Sequence, residues 1–262
     1  MDLGLKGKTA LVLASSKGLG KATALQLALE GANVAVLGRE ERTIRKTADE
    51  IAQASGTAPI ALVADITQAG DIDRAVQATV ERFGGLDILI NNSGGPKPGK
   101  FDQLSDEHWQ SAFELTLLSY IRAIRAALPH MRERGFGRIV NFTSSSIKEP
   151  IDNLMLSSTF RVGVVGLAKS LAADLAKEGI LINTVGPGRF ATDRILELDE
   201  ANAERSGQPL EQVQAAAAAL IPAGRYGTPE EFGKLVAFLA SPANSYMTGQ
   251  SLLIDGGAVR AI

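Results

Sequence analysis

Residues 9–20 read TALVLASSKGLG, and this stretch decides the fold of the chain. Its first six residues are almost all apolar, as expected of a parallel strand that is buried on both faces. A turn containing Gly18 and Gly20 follows, and apolar residues then recur at helical spacing through residues 21–30. Because a strand, a glycine turn and a helix in this order point backbone N–H groups at an anion, the stretch predicts a phosphate-binding turn. An ordinary strand–helix connection is the alternative.

The remainder of the chain alternates between short apolar runs and helical patterns. Runs typical of buried strands occupy residues 33–37, 59–64, 86–90, 138–143, 180–185 and 251–254. Helical patterns occupy residues 39–55, 72–83, 105–134 (as two helices), 158–178 and 228–240. This alternation predicts an α/β fold, in which a doubly wound parallel sheet carries helices on both faces and each crossover is right-handed.

One continuous domain is predicted for residues 1–262, because the chain contains no internal repeat and no stretch with the composition of a linker. Residues 187–227 have the least regular pattern of the chain. Since they are too long for a simple connection, we interpret residues 189–223 within them as a substrate lid.

Composition excludes several function classes. The 27 basic and 29 acidic residues nearly balance, which argues against a nucleic-acid or membrane partner. The chain has no cysteine, so disulfides, thiol catalysis and thiolate metal sites are excluded, and no other cluster has the spacing of metal ligands. Residues 1–8 lack the apolar core of a signal peptide, and no apolar run approaches the length of a membrane span. We therefore expect a soluble, cytoplasmic protein without a metal.

Short motifs at the ends of the predicted strands resemble those of the short-chain dehydrogenase/reductase family, over essentially the full length of the chain. The matching motifs are SKGLG at 16–20, Asp65 after the third strand, NNSG at 91–94, RIVNFTS at 138–144, Pro187-Gly188, TGQ at 248–250 and DGG at 255–257. The general likeness is to the 3-oxoacyl-carrier-protein reductases. The resemblance implies a Rossmann-type sheet of seven parallel strands, a homotetramer or dimer, and hydride transfer between a nicotinamide cofactor and a small-molecule carbonyl or alcohol substrate.

The resemblance also implies which residues bind the cofactor. The first glycine of the family's turn is Ala14 here, and its methyl group narrows the approach to the pyrophosphate. The implied cofactor-binding residues are Ser16, Lys17, Gly18, Leu19 and Gly20 at the pyrophosphate, Asp65 and Ile66 at the adenine, Asn91, Gly94 and Arg161 at ribose, and Pro187, Gly188 and Thr192 at the nicotinamide amide.

The charge near the adenosine ribose favours NADP(H) over NAD(H). Enzymes that prefer NAD usually place an acidic residue after the second strand, where it binds the ribose 2′-hydroxyl. Here that strand ends in Gly38 and Arg39, and Lys17 lies in the glycine turn. Two cations at these places suit a 2′-phosphate. Either cation taken alone has the alternative interpretation of an ordinary solvated surface residue.

The catalytic residues of the family are largely replaced. Ser144 matches the serine that polarises the carbonyl, but the tyrosine, lysine and asparagine positions hold Ser157, Arg161 and Thr116. An alkyl hydroxyl is a much weaker acid than a phenol, whose pKa is about 10. An arginine stays protonated, so Arg161 can bind the ribose but cannot pass a proton.

Two replacements for the missing tyrosine follow from the sequence. Lys148 lies in the loop after Ser144, where a surface ion pair with Glu149 is the alternative. Tyr120 lies one helical turn beyond Thr116, where a buried or interface tyrosine is the alternative.

Two functions stay open at this point. The first is an NADP(H)-dependent oxidoreductase with an atypical proton donor, whose catalytic residues are drawn from Ser144, Lys148, Ser157 and Arg161. The second is an NADP(H)-binding sensor, regulator or assembly protein without hydride transfer.

Overall fold

A computed structural model describes residues 2–261 and shows one parallel sheet at the centre of the molecule. Within these residues the sheet has seven strands in the order β3-β2-β1-β4-β5-β6-β7, and every neighbouring pair is parallel. The strands are β1 Thr9–Val12, β2 Asn33–Gly38, β3 Ile60–Val63, β4 Ile88–Asn91, β5 Gly137–Phe142, β6 Ile180–Pro187 and β7 Ser251–Ile254. The predicted doubly wound α/β fold is confirmed.

Helices cover both faces of this sheet. Their bounds are α1 Gly18–Leu29, α2 Glu41–Ser55, α3 Ala69–Phe83, α4 Asp106–Phe113, α5 Ser119–Arg134, α6 Met155–Leu175, α7 Asp193–Ser206, α8 Leu210–Ala219 and α9 Pro229–Leu239. A single π-turn, Glu114–Leu118, joins α4 to α5.

The core has two layers because neighbouring side chains on each strand point to opposite faces. On β1, Ala10 and Val12 pack against α1, α2 and α9, whereas Leu11 packs against α3, α5 and α6. Both sets are buried, which explains why the strands read as continuous apolar runs.

The carboxyl ends of all the strands lie at one edge of the sheet, since the strands are parallel. Strand order reverses between β1 and β4, whose register pairs Val12 with Ile90. In open α/β sheets the ligand crevice lies outside the carboxyl ends at such a reversal point.

The prediction of an irregular segment at 187–227 is wrong. Strand β6 extends to Pro187, and two helices, α7 and α8, follow it. Their patterns are hard to recognise because they bury little: one residue of α7 and none of α8 is fully buried in the described structure. Most helical stability in proteins comes from packing of an apolar face, which these helices lack.

Three helices also begin earlier than predicted, and the first of them is α3, which starts at Ala69 rather than residue 72. Helix α1 starts at Gly18 rather than residue 21, so both turn glycines belong to its first turn. Helix α6 starts at Met155 rather than residue 158, which places Ser157 within the helix.

Candidate active site

The glycine turn after β1 has the shape of an anion-binding site. Gly18 has φ +60°, a left-handed conformation that favours glycine. A Cβ atom on Gly20 would lie 2.8 Å from the Ala14 carbonyl oxygen and 2.8 Å from Nδ2 of Asn92, so the space exists only for glycine. No side chain caps the start of α1, at Lys17, which leaves the first backbone N–H groups of the helix available to a phosphate.

The turn is held to the reversal point of the sheet by Asn92. Its Nδ2 donates to the carbonyl oxygen of Ala14 at 3.0 Å, which ties the loop after β4 to the loop after β1. Ala14 itself has φ +45°, a conformation that costs an alanine more than a glycine. The missing first glycine of the motif therefore leaves a strained residue at this point.

Two cations and an acid lie at the end of the crevice that is predicted to bind adenosine. Lys17 and Arg39 are both exposed, and Lys17 Nζ lies 3.9 Å from a carboxylate oxygen of Glu197. Asp65 follows β3, and its Oδ1 accepts from the N–H of Thr67 at 2.9 Å and from the Thr67 hydroxyl at 2.8 Å. Oδ2 of Asp65 has no hydrogen-bond partner within residues 2–261, so it is open to a donor from a ligand.

The other predicted cofactor residues differ in how they can act. Asn91 is buried and its Nδ2 donates to Oδ1 of Asn141 at 2.8 Å, so its side chain links β4 to β5. Its own Oδ1 is sealed from solvent and has no partner among the described residues. Gly94 is exposed with open space around it, and the N–H of Gly188 donates to Ile254.

Three more predicted residues support the site by packing. Ser16 lies against Gly38, where any Cβ atom would collide with the Ser16 hydroxyl. Leu19 packs against the core layer beneath α1, and the buried Ile66 packs in the opposite layer. These positions shape the crevice between the glycine turn and the second strand.

Ser157 and Arg161, which the resemblance assigns to the family's tyrosine and lysine positions, form a hydrogen-bonded pair. Nε of Arg161 donates to the hydroxyl oxygen of Ser157 at 3.1 Å, across one turn of α6. Nη1 of Arg161 donates to the carbonyl oxygen of Phe142 at 3.0 Å. Only 6% of Arg161 is exposed, and these two anchors hold its guanidinium at the end of β5.

Tyr120 shares the same carbonyl. Its hydroxyl donates to Phe142 at 2.9 Å and lies 3.5 Å from the hydroxyl of Ser93. The side chain is fully buried, and burial raises the pKa of its phenol. Tyr120 is therefore a buried structural tyrosine, as the alternative interpretation of the sequence stated.

Ser144 and Thr116 are the other two residues that the resemblance assigns to the family's catalytic positions. Ser144 follows β5 and its Oγ accepts from the N–H of Ser146 at 3.1 Å, which leaves the hydroxyl hydrogen for a ligand. Thr116 lies in the π-turn and its hydroxyl donates to Ala112 at 2.6 Å. The donor of Thr116 is therefore committed to its own helix.

Lys148 ends the short 3₁₀ turn Ser145–Ile147 beside Ser144. Its side chain is exposed, and the alternative ion pair with Glu149 does not form in the described structure.

Helix α7 reaches the glycine turn from the other side of the crevice. A Cβ atom on Gly18 would lie 3.7 Å from Cγ2 of Thr192, the residue that precedes α7. At the far side of this helix, the buried Asp199 accepts from Arg189 and from Tyr226. Burial and the hydrogen bond to Asp199 raise the pKa of Tyr226, so its phenol stays protonated.

Sequence reasoning missed this group of three residues. The partners of Asp199 lie 10 and 27 residues away along the chain, and no short-range pattern links them.

Comparisons with known proteins show which family this chain resembles. Residues 13–259 match the family described as "Enoyl-(Acyl carrier protein) reductase". The "Short-chain reductase protein NovJ" of Streptomyces niveus is 35% identical over 248 residues, covering 95% of this chain and 92% of that protein. The 3-oxoacyl-[acyl-carrier-protein] reductase FabG of Vibrio cholerae serotype O1 is 33% identical and covers 97% of this chain and 98% of its own.

A solved structure shows the same fold with a ligand. L-sorbose reductase from Gluconobacter frateurii, complexed with NADPH and L-sorbose, matches with a TM-score of 0.96 and 27% identity, covering 100% of both chains. Across residues 2–261, no helix is both long and apolar enough to cross a membrane.

Proposed function

Because the chain belongs to the short-chain dehydrogenase/reductase family, we propose that it is an NADP(H)-dependent oxidoreductase that acts on a carbonyl or alcohol group, resembles the 3-oxoacyl reductases, and uses an atypical proton donor. The observation that carries the proposal is the Arg161–Ser157 pair. It is anchored on the carbonyl oxygen of Phe142 and so places a buried cation at the end of β5, the strand that Ser144 follows by two residues.

The cofactor half of the proposal rests on the fit of the crevice. The left-handed turn at Gly18 and the uncapped start of α1 suit a pyrophosphate. Oδ2 of Asp65 suits an adenine amino group, and the exposed cations Lys17 and Arg39 suit a 2′-phosphate. The NADPH held by the related L-sorbose reductase supports the same choice.

When bound, NADPH supplies the hydride for the reaction. The residues of this chain orient the carbonyl and stabilise the negative charge that develops on its oxygen. The Ser144 hydroxyl donates to that oxygen, and the remaining N–H groups of Arg161 supply fixed positive charge close to it. Ser157 accepts from Nε of Arg161 and so orients the guanidinium.

The proton must come from another group, because Arg161 keeps its proton and Ser157 is too weak an acid. We assign this role to Lys148, whose ammonium transfers a proton to the alkoxide and recovers one from solvent. One hydride and one proton then convert the carbonyl to an alcohol.

Assembly and location are part of the same proposal. An apolar groove between α5 and α6, lined by Ile121, Leu128, Leu167 and Leu171, supports a dimer or tetramer. The cytoplasmic location predicted from the sequence stays a prediction, which cell fractionation tests.

The direct experiment is NADPH oxidation by the purified protein over a broad panel of aldehydes and ketones. We expect turnover with at least one substrate class, and a loss of about 100-fold in Ser144→Ala, since that variant loses one positioned donor to the carbonyl oxygen. Tight NADPH binding without oxidation of any panel member would favour the second function, a cofactor-binding sensor or regulator.

A further inference from the structure

Helix α7 is attached to the rest of the protein in an unusual way. Its one fully buried residue in the described structure is an acid, Asp199, which is 0% exposed. Of the apolar residues of the same helix, Leu196 and Leu198 are 42% and 37% exposed and Ile195 is only partly buried, so apolar packing contributes little to its attachment. What fixes α7 is therefore the set of polar contacts made by Asp199.

Those contacts form a closed triangle. Nη1 of Arg189 donates to Oδ1 of Asp199 at 2.7 Å, and the Tyr226 hydroxyl donates to Oδ2 at 2.9 Å. Nη1 of Arg189 also donates to the Tyr226 hydroxyl oxygen at 3.0 Å. Both carboxylate oxygens are thus used, as a buried charge requires.

The triangle joins three places in the chain that border the crevice. Arg189 directly follows Gly188 after β6, and Tyr226 lies just before α9. Two main-chain hydrogen bonds hold these segments together: the Gly227 N–H donates to Arg189, and the Ala191 N–H donates to Gly227. Asp199 is the partner that adds α7 to them.

The other side of α7 meets the predicted cofactor turn. Thr192 lies against Gly18, and Glu197 lies 3.9 Å from Lys17 across an exposed ion pair. Such exposed ion pairs stabilise a folded protein by about 1 kcal/mol or less, so the position of α7 over the turn depends on the hydrogen bonds of the triangle.

We propose that Arg189, Asp199 and Tyr226 are positioning residues that hold α7 over the glycine turn and thereby set how fast NADP(H) leaves. This inference rests on the proposed cofactor. It adds to the lid predicted at residues 189–223 the contacts that hold that lid in place. The three residues act through Thr192 and the backbone of α7, and they do not touch the reacting atoms.

The matched control is a second buried Asp–Arg pair at the opposite edge of the sheet. Asp87 is 0% exposed, accepts from the N–H of Thr9 at 2.9 Å and lies 3.1 Å from Nε of Arg134. Asp87→Asn therefore disturbs a comparable pair far from the crevice.

The test measures the release of NADPH in stopped flow, by following its fluorescence as excess NADP⁺ displaces it from the full-length protein. We expect release to be about tenfold faster in Asp199→Asn, which removes the buried charge and one of its acceptor oxygens, and about threefold faster in Tyr226→Phe, which removes one donor to that charge. Asp87→Asn should lower Tm but leave the release rate within about twofold of wild type.

Two further readouts separate positioning from general stability. Amide hydrogen exchange should accelerate in α7 in both lid variants and not in the Asp87→Asn control. The double variant Asp199→Asn with Tyr226→Phe should release NADPH at about the rate of Asp199→Asn alone, because both changes break the same triangle of hydrogen bonds.

Unchanged release and unchanged exchange of α7 in Tyr226→Phe would overturn the proposal, even if Asp199→Asn failed to fold. If NADPH binds but no carbonyl is reduced, the hydride-transfer proposal fails. The role of Arg189, Asp199 and Tyr226 is still decided by the NADPH release rates of the variants. If NADPH does not bind at all, both proposals fail.

Discussion

Tyr120 and Arg161 donate hydrogen bonds to the same backbone oxygen, that of Phe142, at 2.9 and 3.0 Å. A carbonyl oxygen has two lone pairs, so both bonds can form at once. Tyr120 approaches from α5 and Arg161 from α6, and the carbonyl between them ends β5. The shared acceptor fixes the direction of the Arg161 guanidinium and gives Tyr120 a structural role.

Replacing Tyr120 by phenylalanine should therefore cost stability and spare chemistry. One buried hydrogen bond is lost, but Arg161 still satisfies the Phe142 carbonyl, so we expect about 1 kcal/mol less free energy of unfolding. Turnover should stay within about twofold of wild type. Urea unfolding and steady-state kinetics check both values. A tenfold loss of turnover at unchanged NADPH affinity would instead identify Tyr120 as the proton donor.

The sequence was informative where a pattern is local. The strand and helix order, the glycine turn, and the position of Ser157 one helical turn before Arg161 are all short-range features. The start of α6 at Met155 could not be read, because no capping residue marks it. The contact of Asp199 with Tyr226 joins residues far apart in sequence, and only the tertiary fold brings them together.

NADPH should bind more tightly than NADH, because Lys17 and Arg39 are exposed at the ends of β1 and β2 and can meet a 2′-phosphate. Arg39→Ala should weaken NADPH binding by about tenfold, the loss of one charge-assisted contact. NADH lacks the phosphate, so its affinity serves as the control and should not change. Calorimetric titration of the wild type and of Arg39→Ala with NADPH and with NADH gives the four affinities. Equal affinities of the wild type for the two would show the assignment to be wrong.

Ala14→Gly should stabilise the protein. A left-handed alanine costs roughly 1–2 kcal/mol, whereas glycine costs about 0.5–1 kcal/mol in chain entropy, so the strain of φ +45° outweighs the entropy. We expect a gain of roughly 0.5 kcal/mol in denaturant unfolding, the difference between those two terms. The matched control is Ala215→Gly in the middle of the exposed helix α8, where the same change should cost about 1 kcal/mol. If Ala→Gly lowered the free energy of unfolding equally at both positions, Ala14 would not be strained.

The protein should form a dimer or tetramer through the groove between α5 and α6. Leu167 lines this groove, so Leu167→Arg should shift the mass measured by light scattering toward the monomer. Leu29 is 52% exposed on a helix that covers the other face of the sheet, and Leu29→Arg serves as the control with unchanged mass. A monomeric wild type at micromolar concentration would refute the assembly.

The last prediction concerns the source of the proton in the proposed reduction. Lys148 is exposed beside Ser144 and forms no ion pair in the described structure, so its ammonium can approach a bound carbonyl. Lys148→Ala should lower kcat by about tenfold or more, while NADPH affinity changes little. Glu149→Gln, the neutralised neighbour in the same loop, is the control and should keep kcat within about twofold.

The same assignment predicts opposite results for two changes at Ser157. Ser157→Ala should be mild, about threefold or less in kcat, because Arg161 keeps its anchor on Phe142. Ser157→Tyr with Arg161→Lys restores the acid and its cation at one-turn spacing on α6 and should raise the reduction of activated ketones. In that double variant the additional Lys148→Ala change should matter little, since the phenol then supplies the proton. If Lys148→Ala is silent in the wild type and Ser157→Ala abolishes turnover, the proton passes through Ser157, and the role given to Lys148 is wrong.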